Sequence, residues 1–299
     1  MHHTIFTEEI KLTIMNKISV FGATGFIGSR FCELYADQTI KVPKYEFSSP
    51  TKNVLYFIST VDNYHIHNNL HVDIDTNLTT LMKLLENLKE TYAPEEAPVI
   101  NFISSWFVYG QNENTPFKED SYCNPTGFYS ITKRCAEQML ICFCETFGYR
   151  YRILRLANVI GEGDQKISKK KNALQYMIKE IVDGNDVDLY YGGEVLRDYI
   201  YIDDVCKGIK LVVDKGELNQ IYNIGSGIPS KFLDLVNTAI SVAKSTSKIN
   251  NIPATKFHNI VQVRNSYLDI DKLSKLGFKI EYDITTTIKK LVQHYKNTK

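Results

Sequence analysis

Tyr129 and Lys133 stand four residues apart in Phe128–Glu137, FYSITKRCAE. In a helix that spacing puts both side chains on one face. An ammonium beside a phenol stabilises the phenolate, so the tyrosine exchanges its proton closer to neutral pH than its unperturbed value of about 10 allows. The chemistry on offer is a poised acid/base pair, and the ordinary alternative is a packed ring beside a solvated charge. Two further stretches bear on that choice.

The first is Lys17–Ala36, KISVFGATGFIGSRFCELYA, a short β-branched run that breaks at Gly22, Gly25 and Gly28 and continues as a helix. In a strand-turn-helix the first glycine permits the tight turn, and the second lets the backbone approach a pyrophosphate. The third lets helix and strand pack closely, and the helix N-terminus offers free N–H groups to the anion. The second stretch is Val99–Ile103, a buried strand that runs into Ser104, Ser105, Trp106 and Phe107. Ligands of open α/β sheets sit beyond the carboxyl ends of strands, which makes Ser105 the candidate catalytic hydroxyl. Trp106 has two readings, closing the core or lining a pocket.

Those residues need a scaffold, and the chain supplies one. With 299 residues and a formal charge of +1, it is long enough for one large or two smaller domains. Bulk charge gives no attraction to nucleic acid or membrane. No apolar run reaches membrane-spanning length. The opening segment lacks a secretory pattern, and residues 1–14 read as an extension with Met15 as an alternative start. Six cysteines without a paired CxxC spacing indicate reduced thiols in a cytoplasmic protein. No metal is expected, and His65, His67 and His71 read as solvated loop residues.

Around residues 38–60 a second strand should carry an acid for the cofactor's adenosine ribose. Lys41 and Lys44 occupy the region instead, so the phosphate state, NAD or NADP, stays open. The segment is also too short for a helix before the next strand, Val54–Ile58. Asn77–Leu88 is apolar at Leu78, Leu81, Leu84, Leu85 and Leu88, a core-facing stripe. Further on, Asn158, Gly161 and Gly163 follow a strand, and residues 166–172 form a charge run that reads as a solvated loop. Arg197 offers a fork that suits a phosphate.

Taken together, GATGFIG at Gly22–Gly28, the serine of ISSWFVYG and YSITK at Tyr129–Lys133 resemble the extended short-chain dehydrogenase/reductases, in the nucleotide-sugar epimerase/dehydratase branch. RLANVIGEGD, VLRDYIYIDDV, YNIGSG and LDIDKLSKLGF are similar to later landmarks of that branch, in the usual order from Lys17 onwards. The resemblance implies a cofactor, NAD or alternatively NADP, held by Gly22, Thr24, Gly25, Phe26, Ile27, Gly28, Ser59 and Asn77 together with Tyr129 and Lys133. It implies a nucleotide-diphosphate sugar held by Ser105, Trp106, Asn158, Arg197 and Arg264. Ser105 would hydrogen-bond the reacting oxygen, Tyr129 would exchange its proton, and Lys133 would hold the nicotinamide ribose and lower the tyrosine's pKa. A homodimer through a four-helix interface is also implied, with Met139, Leu140, Ile141 and Phe143 compatible with it.

Departures from the family pattern narrow the activity. Where the 4,6-dehydratases carry an Asp-Glu pair after the catalytic hydroxyl residue, this chain has Trp106 and Phe107. Thr80-Leu81 and Glu162 also replace family residues. The expected fold is a Rossmann-type, doubly wound parallel sheet over residues 15–164, with a smaller α/β substrate-binding domain over 165–299. Part of 199–227 is expected to return to the first domain. The first reading is a nucleotide-sugar 4-epimerase that regenerates its NAD; the second is a 4-keto nucleotide-sugar reductase that consumes NADPH. A 4,6-dehydratase and a non-enzymatic nucleotide-binding protein rank below both.

Overall fold

The computed structural model describes residues 14–111, 114–165 and 167–298. The extension read over residues 1–14 lies outside it except for the last residue, as does Lys166 of the charge run. In chain order the first half contains β1 (Ile18–Phe21), α1 (Phe26–Leu34), β2 (Thr39–Lys41), β3 (Asn53–Tyr56), α2 (Thr80–Thr91), β4 (Val99–Ser105), α3 (Phe128–Phe147) and β5 (Tyr151–Leu156). The second half adds β6 (Asn158–Ile160), α4 (Ala173–Asp183), β7 (Val187–Tyr190), β8 (Leu196–Arg197), β9 (Tyr199–Tyr201), α5 (Ile202–Lys215) and β10 (Gln220–Ile224). It closes with β11 (Ser230–Lys231), α6 (Phe232–Ala243), β12 (Ile249–Ile252), α7 (Lys256–Val261), α8 (Asp271–Lys275) and α9 (Ile284–Asn297).

Six strands form one sheet in the order β10-β5-β4-β3-β1-β2, and every pairing in it is parallel. Strands buried on both faces suit such a sheet, and β1, β4 and β5 are almost wholly buried along their length. The chain leaves β1 towards β2 on one side and later returns to β3 on the other. That reversal is the switch point at which doubly wound sheets bind ligands. β10 comes from the second half of the chain and adds to the sheet beside β5. No helix separates β2 from β3, as the short segment leads one to expect.

Helix α2 buries Leu81, Leu84, Leu85 and Leu88, the expected stripe, but a π-helical turn over Asp75–Thr79 precedes it. Asn77 therefore lies in the π turn, where its side chain is buried. In α3, Tyr129, Lys133, Ala136, Leu140 and Cys144 are buried along one side, and Gly148, at φ 77°, ends the helix in the left-handed conformation. The second core is formed by α4, α6 and α9 around Leu174, Ile178, Val236 and Leu291. Among the described residues no helix is long and apolar enough to cross a membrane.

The β1–α1 turn is tight for a definite reason. Gly22 has φ +79°, and a Cβ placed on Gly28 would lie 2.4 Å from the Gly22 carbonyl oxygen. That oxygen is backbone and cannot swing aside. Gly28→Ala is expected to force β1 and α1 apart and lower unfolding free energy by about 1–3 kcal/mol. Denaturant titration checks this, and an unchanged midpoint would contradict the close packing.

Candidate active site

Because the strands are parallel, β1, β3, β4 and β5 end on the same edge of the sheet. Gly22 follows β1, Ser59 lies three residues beyond β3, and Ser105 closes β4. The glycine turn fits a pyrophosphate. A Cβ on Gly25 would meet only the Gly22 oxygen, at 3.4 Å, so the space above that backbone is open. Helix α1 has no acidic residue in its first turn, which leaves its N-terminal dipole uncancelled for an anion. Thr24 and Gly25 are exposed and Phe26 and Ile27 half-buried at this mouth.

Ser105 and Tyr129 come together across the end of β4. The Ser105 oxygen accepts the Phe107 N–H at 3.3 Å, and the Tyr129 hydroxyl has Ser105 and Ser59 as hydrogen-bonding neighbours. Burial pushes the Tyr129 phenol up to about 12, with those two hydroxyls opposing the shift. Lys133 does not act as the spacing alone suggests. Its Nζ donates to the Ile103 carbonyl at 2.6 Å and lies 4.1 Å from the centre of the Phe102 ring. Only 1 % exposed, it is pushed down to about 7 by burial, against the pull of Glu137. The two side chains share a helix face, yet burial outweighs their mutual effect and moves each towards its neutral form.

Ser59 and Asn77, both expected at the cofactor, bond to each other: Ser59 Oγ donates to Asn77 Oδ1 at 3.0 Å. Asn77 also accepts the Thr60 N–H at 2.9 Å and donates to Thr60 Oγ1 and Thr132 Oγ1, each at 2.9 Å. A π turn and a buried amide thus tie the end of β3 to α3. Neither Thr60 nor Thr132 stands out in the sequence. Their signal is faint, since threonines in such positions are common.

Beyond Trp106 opens a cavity of about 990 Å³, walled by Asn158, Lys171, Tyr190, Arg197 and Arg264 among others. Trp106 is 4 % exposed and belongs to the main core, so it serves as wall and core together. Its ring stacks on Phe107 at 4.0 Å, and Phe107 in turn meets Tyr129 edge-on at 6.0 Å. Asn158 Nδ2 donates to the Asp198 carbonyl at 2.9 Å. Arg197 lines the cavity without presenting its full fork. Its Nη1 donates to the Leu196 and Arg264 carbonyls and its Nη2 to that of Val263, because backbone oxygens surround the guanidinium. Arg264 is exposed on the same wall. Lys169, Lys170 and Lys171 of the charge run also reach the cavity, where the charge pattern predicts a plain solvated loop. His258, tilted against Tyr190 at 4.3 Å between ring centres, is pushed down to about 4 by burial and then by Arg197.

Lys133 makes stability depend on pH in a defined direction. Folded, it titrates near 7; its ordinary value is 10.5. Between these values the unfolded chain holds a proton that the folded chain lacks, so stability rises as pH climbs through that window. Lys133→Met removes the effect. The variant is expected to gain most over wild type near about pH 6 and to lose that gain towards about pH 10, at about 1.4 kcal/mol for each pH unit crossed within the window. Ile103 loses a donor in the variant at every pH, so only the change with pH is diagnostic. Denaturant midpoints across the range test it, and a pH-independent difference would refute it.

Comparison with known proteins gives the setting for this geometry. A putative UDP-glucose 4-epimerase of Methanocaldococcus jannaschii is 25 % identical over 94 % of this chain and 98 % of its own length. The solved UDP-glucose 4-epimerase of Thermotoga maritima, with UDP-glucose, superposes with a TM-score of 0.82 at 23 % identity, covering 94 % of this chain and 99 % of that one. RMD from Pseudomonas aeruginosa, solved with NADPH, gives a TM-score of 0.82 at 19 % identity, covering 95 % and 100 %. The sequence profile of the NAD dependent epimerase/dehydratase family matches residues 54–225, more than half of the chain. From β3 to the turn after β10 that match takes in Ser105, Tyr129 and Lys133, and the chain is an enzyme that belongs to the NAD dependent epimerase/dehydratase family.

Proposed function

We propose that the protein interconverts C4 epimers of a nucleotide-diphosphate sugar, with NAD held at the glycine turn. The observation that carries this is the meeting of the Ser105 and Tyr129 side chains at the end of β4, between the glycine turn and the cavity. Bound NAD supplies hydride acceptance and return at the sugar carbon. Ser105 hydrogen-bonds the C4 oxygen, and Tyr129 takes that hydroxyl's proton and gives it back. Lys133 Nζ keeps donor capacity beyond the hydrogen given to Ile103, and this suits the cofactor's ribose. Asn158, Arg197 and Arg264 hold the nucleotide diphosphate, and Lys170 adds positive charge to the same wall, where Lys171 is paired with Asp164 and Lys169 faces Asp188. An epimerase must let the keto sugar turn over between hydride transfers. A cavity of about 990 Å³ lies at the large end of ligand sites and leaves room for that.

A second reading rests on β2. It ends at Lys41 without an acid, and Lys41 is exposed there. A lysine at that point favours a 2′-phosphate, which suits a reductase of 4-keto nucleotide sugars that consumes NADPH. Ile131, 46 % exposed on α3, gives that helix an apolar point at which two copies could pair.

Mass spectrometry of molecules released on denaturing the purified protein separates the readings. Retained NAD supports the epimerase; an empty protein that takes up NADPH transfers the proposal to the reductase. In either case Tyr129→Phe is expected to lower kcat by about 10²–10⁴-fold with little change in KM. Undiminished turnover in that variant would remove the tyrosine from the chemistry. Trp106→Ala is expected to change preference among nucleotide sugars, read as kcat/KM ratios; unchanged ratios would make the indole a core residue alone.

A further inference from the structure

Helix α3 begins one residue before Tyr129, and its N-cap position is Gly127. Ser, Thr, Asp or Asn ordinarily stands there, because a side-chain oxygen satisfies an N–H of the first turn; glycine offers none. The backbone does not call for glycine, since φ −106° suits any residue. Space does. A Cβ built on Gly127 would lie 2.0 Å from Asn63 Oδ1 and 2.4 Å from Asn63 Cγ. Asn63 belongs to the loop after β3, is 2 % exposed, and its Oδ1 accepts the Ser130 N–H at 3.4 Å. A backbone N–H can only donate, so the amide atom facing it is the oxygen. Ser130 is the third residue of the helix, whose N–H an N-cap side chain commonly takes. Its own Oγ accepts the Gly127 N–H at 3.0 Å, the other half of a capping box. The Asn63 amide thus fills the place of a capping side chain at 127, from another part of the chain.

We propose that Asn63 is a positioning residue: it caps α3 in place of a side chain at 127 and so fastens the cavity wall to the helical turn that carries Tyr129. This rests on Tyr129 as the proton carrier. Residues 61–64 all line the cavity, so the loop that meets a ligand there is tied to the residues on either side of the tyrosine. Beyond Tyr129 the helix is held by Thr132 against Asn77 and by Lys133 against Ile103. Asn63 holds its first turn, where helices otherwise fray. A proton-transfer group displaced by a fraction of an ångström loses rate more than substrate affinity, because the geometry matters most in the transition state. Asn63 and Gly127 are therefore a matched pair. A side chain at 127 collides with the amide, and loss of the amide leaves the turn uncapped.

A double-mutant cycle in the full chain tests the pairing. Asn63→Ala removes the cap, and Gly127→Ser supplies a local one that clashes while Asn63 is present. Each alone is expected to lower kcat by about tenfold with KM changed by less than about twofold, and the double variant to recover most of that activity. Denaturant midpoints of the same four proteins read the cap without any substrate: both single variants fall, and the double variant returns towards wild type. Losses that simply multiply in the double variant overturn the proposal. So does a midpoint that recovers while kcat does not, since the cap would then stabilise the helix without placing the tyrosine. Should Gly127→Ser alone fail to fold, the comparison of Asn63→Ala with the double variant decides. The premise fails separately, when Tyr129→Phe retains full turnover; the midpoints still decide the cap in that event.

Discussion

The position of the tyrosine depends on a buried ion pair two turns further along its helix. Glu137 receives Arg155 on both oxygens, at 3.0 and 2.8 Å, and Arg134 at 2.8 Å. Burial alone would push the Glu137 carboxyl up, but the Arg155 charge holds it below its ordinary range. Arg155 also donates to the Glu119 carbonyl and lies 4.7 Å from the Tyr109 ring, whose hydroxyl bonds Asn223 on β10. One cluster therefore joins α3, β5, β10 and the loop between β4 and α3. Breaking such a pair from one side costs about 3–5 kcal/mol, because the survivor is a bare charge in the core. With Glu137 pinned, α3 cannot slide or rotate along the sheet, and Tyr129 is held at the end of β4.

Local features of the site were legible in the sequence for a physical reason. The glycine turn is written in three consecutive constraints on backbone space, and the α2 stripe and the inward face of α3 are written in helical periodicity. What the spacing of Tyr129 and Lys133 left out was burial. Two groups on one face shift each other only as far as the surrounding dielectric and nearer partners allow. Lys133 finds a carbonyl from residue 103, thirty positions away, and no local pattern announces it. Arg197 is a similar case. Its type suits a phosphate, but the carbonyls that engage it come mainly from residues 263 and 264, brought in by the fold. Trp106, open between core and pocket, is both, because the end of β4 is where the core meets the cavity.

Asp73 shows a different limit. In sequence it is one of three acids in the polar stretch of residues 61–75, and solvation is the ordinary fate of such a residue. The helical turn over Val72–Ile74, ahead of the π turn, changes that. Asp73 and Asn77, four positions apart, both end up buried, and both reach Thr60. A helix that began regularly at Asn77, as its periodicity alone suggests, would carry no reason to bury the acid.

The shortened excursion between β2 and β3 bears on how the cofactor is held. In a full doubly wound half, an acid after the second strand grips the adenosine ribose while the glycine turn grips the pyrophosphate. Here β2 pairs with β1 over three residues and the chain returns to β3 without a helix. On the proposed reading, recognition would shift towards the pyrophosphate and nicotinamide ends, beside the glycine turn, Tyr129 and Lys133, which are all held by the sheet and α3. Those are also the ends that chemistry requires. A protein can relinquish contacts to the adenosine and lose affinity uniformly, whereas loosening the nicotinamide end would misplace the carbon that exchanges hydride.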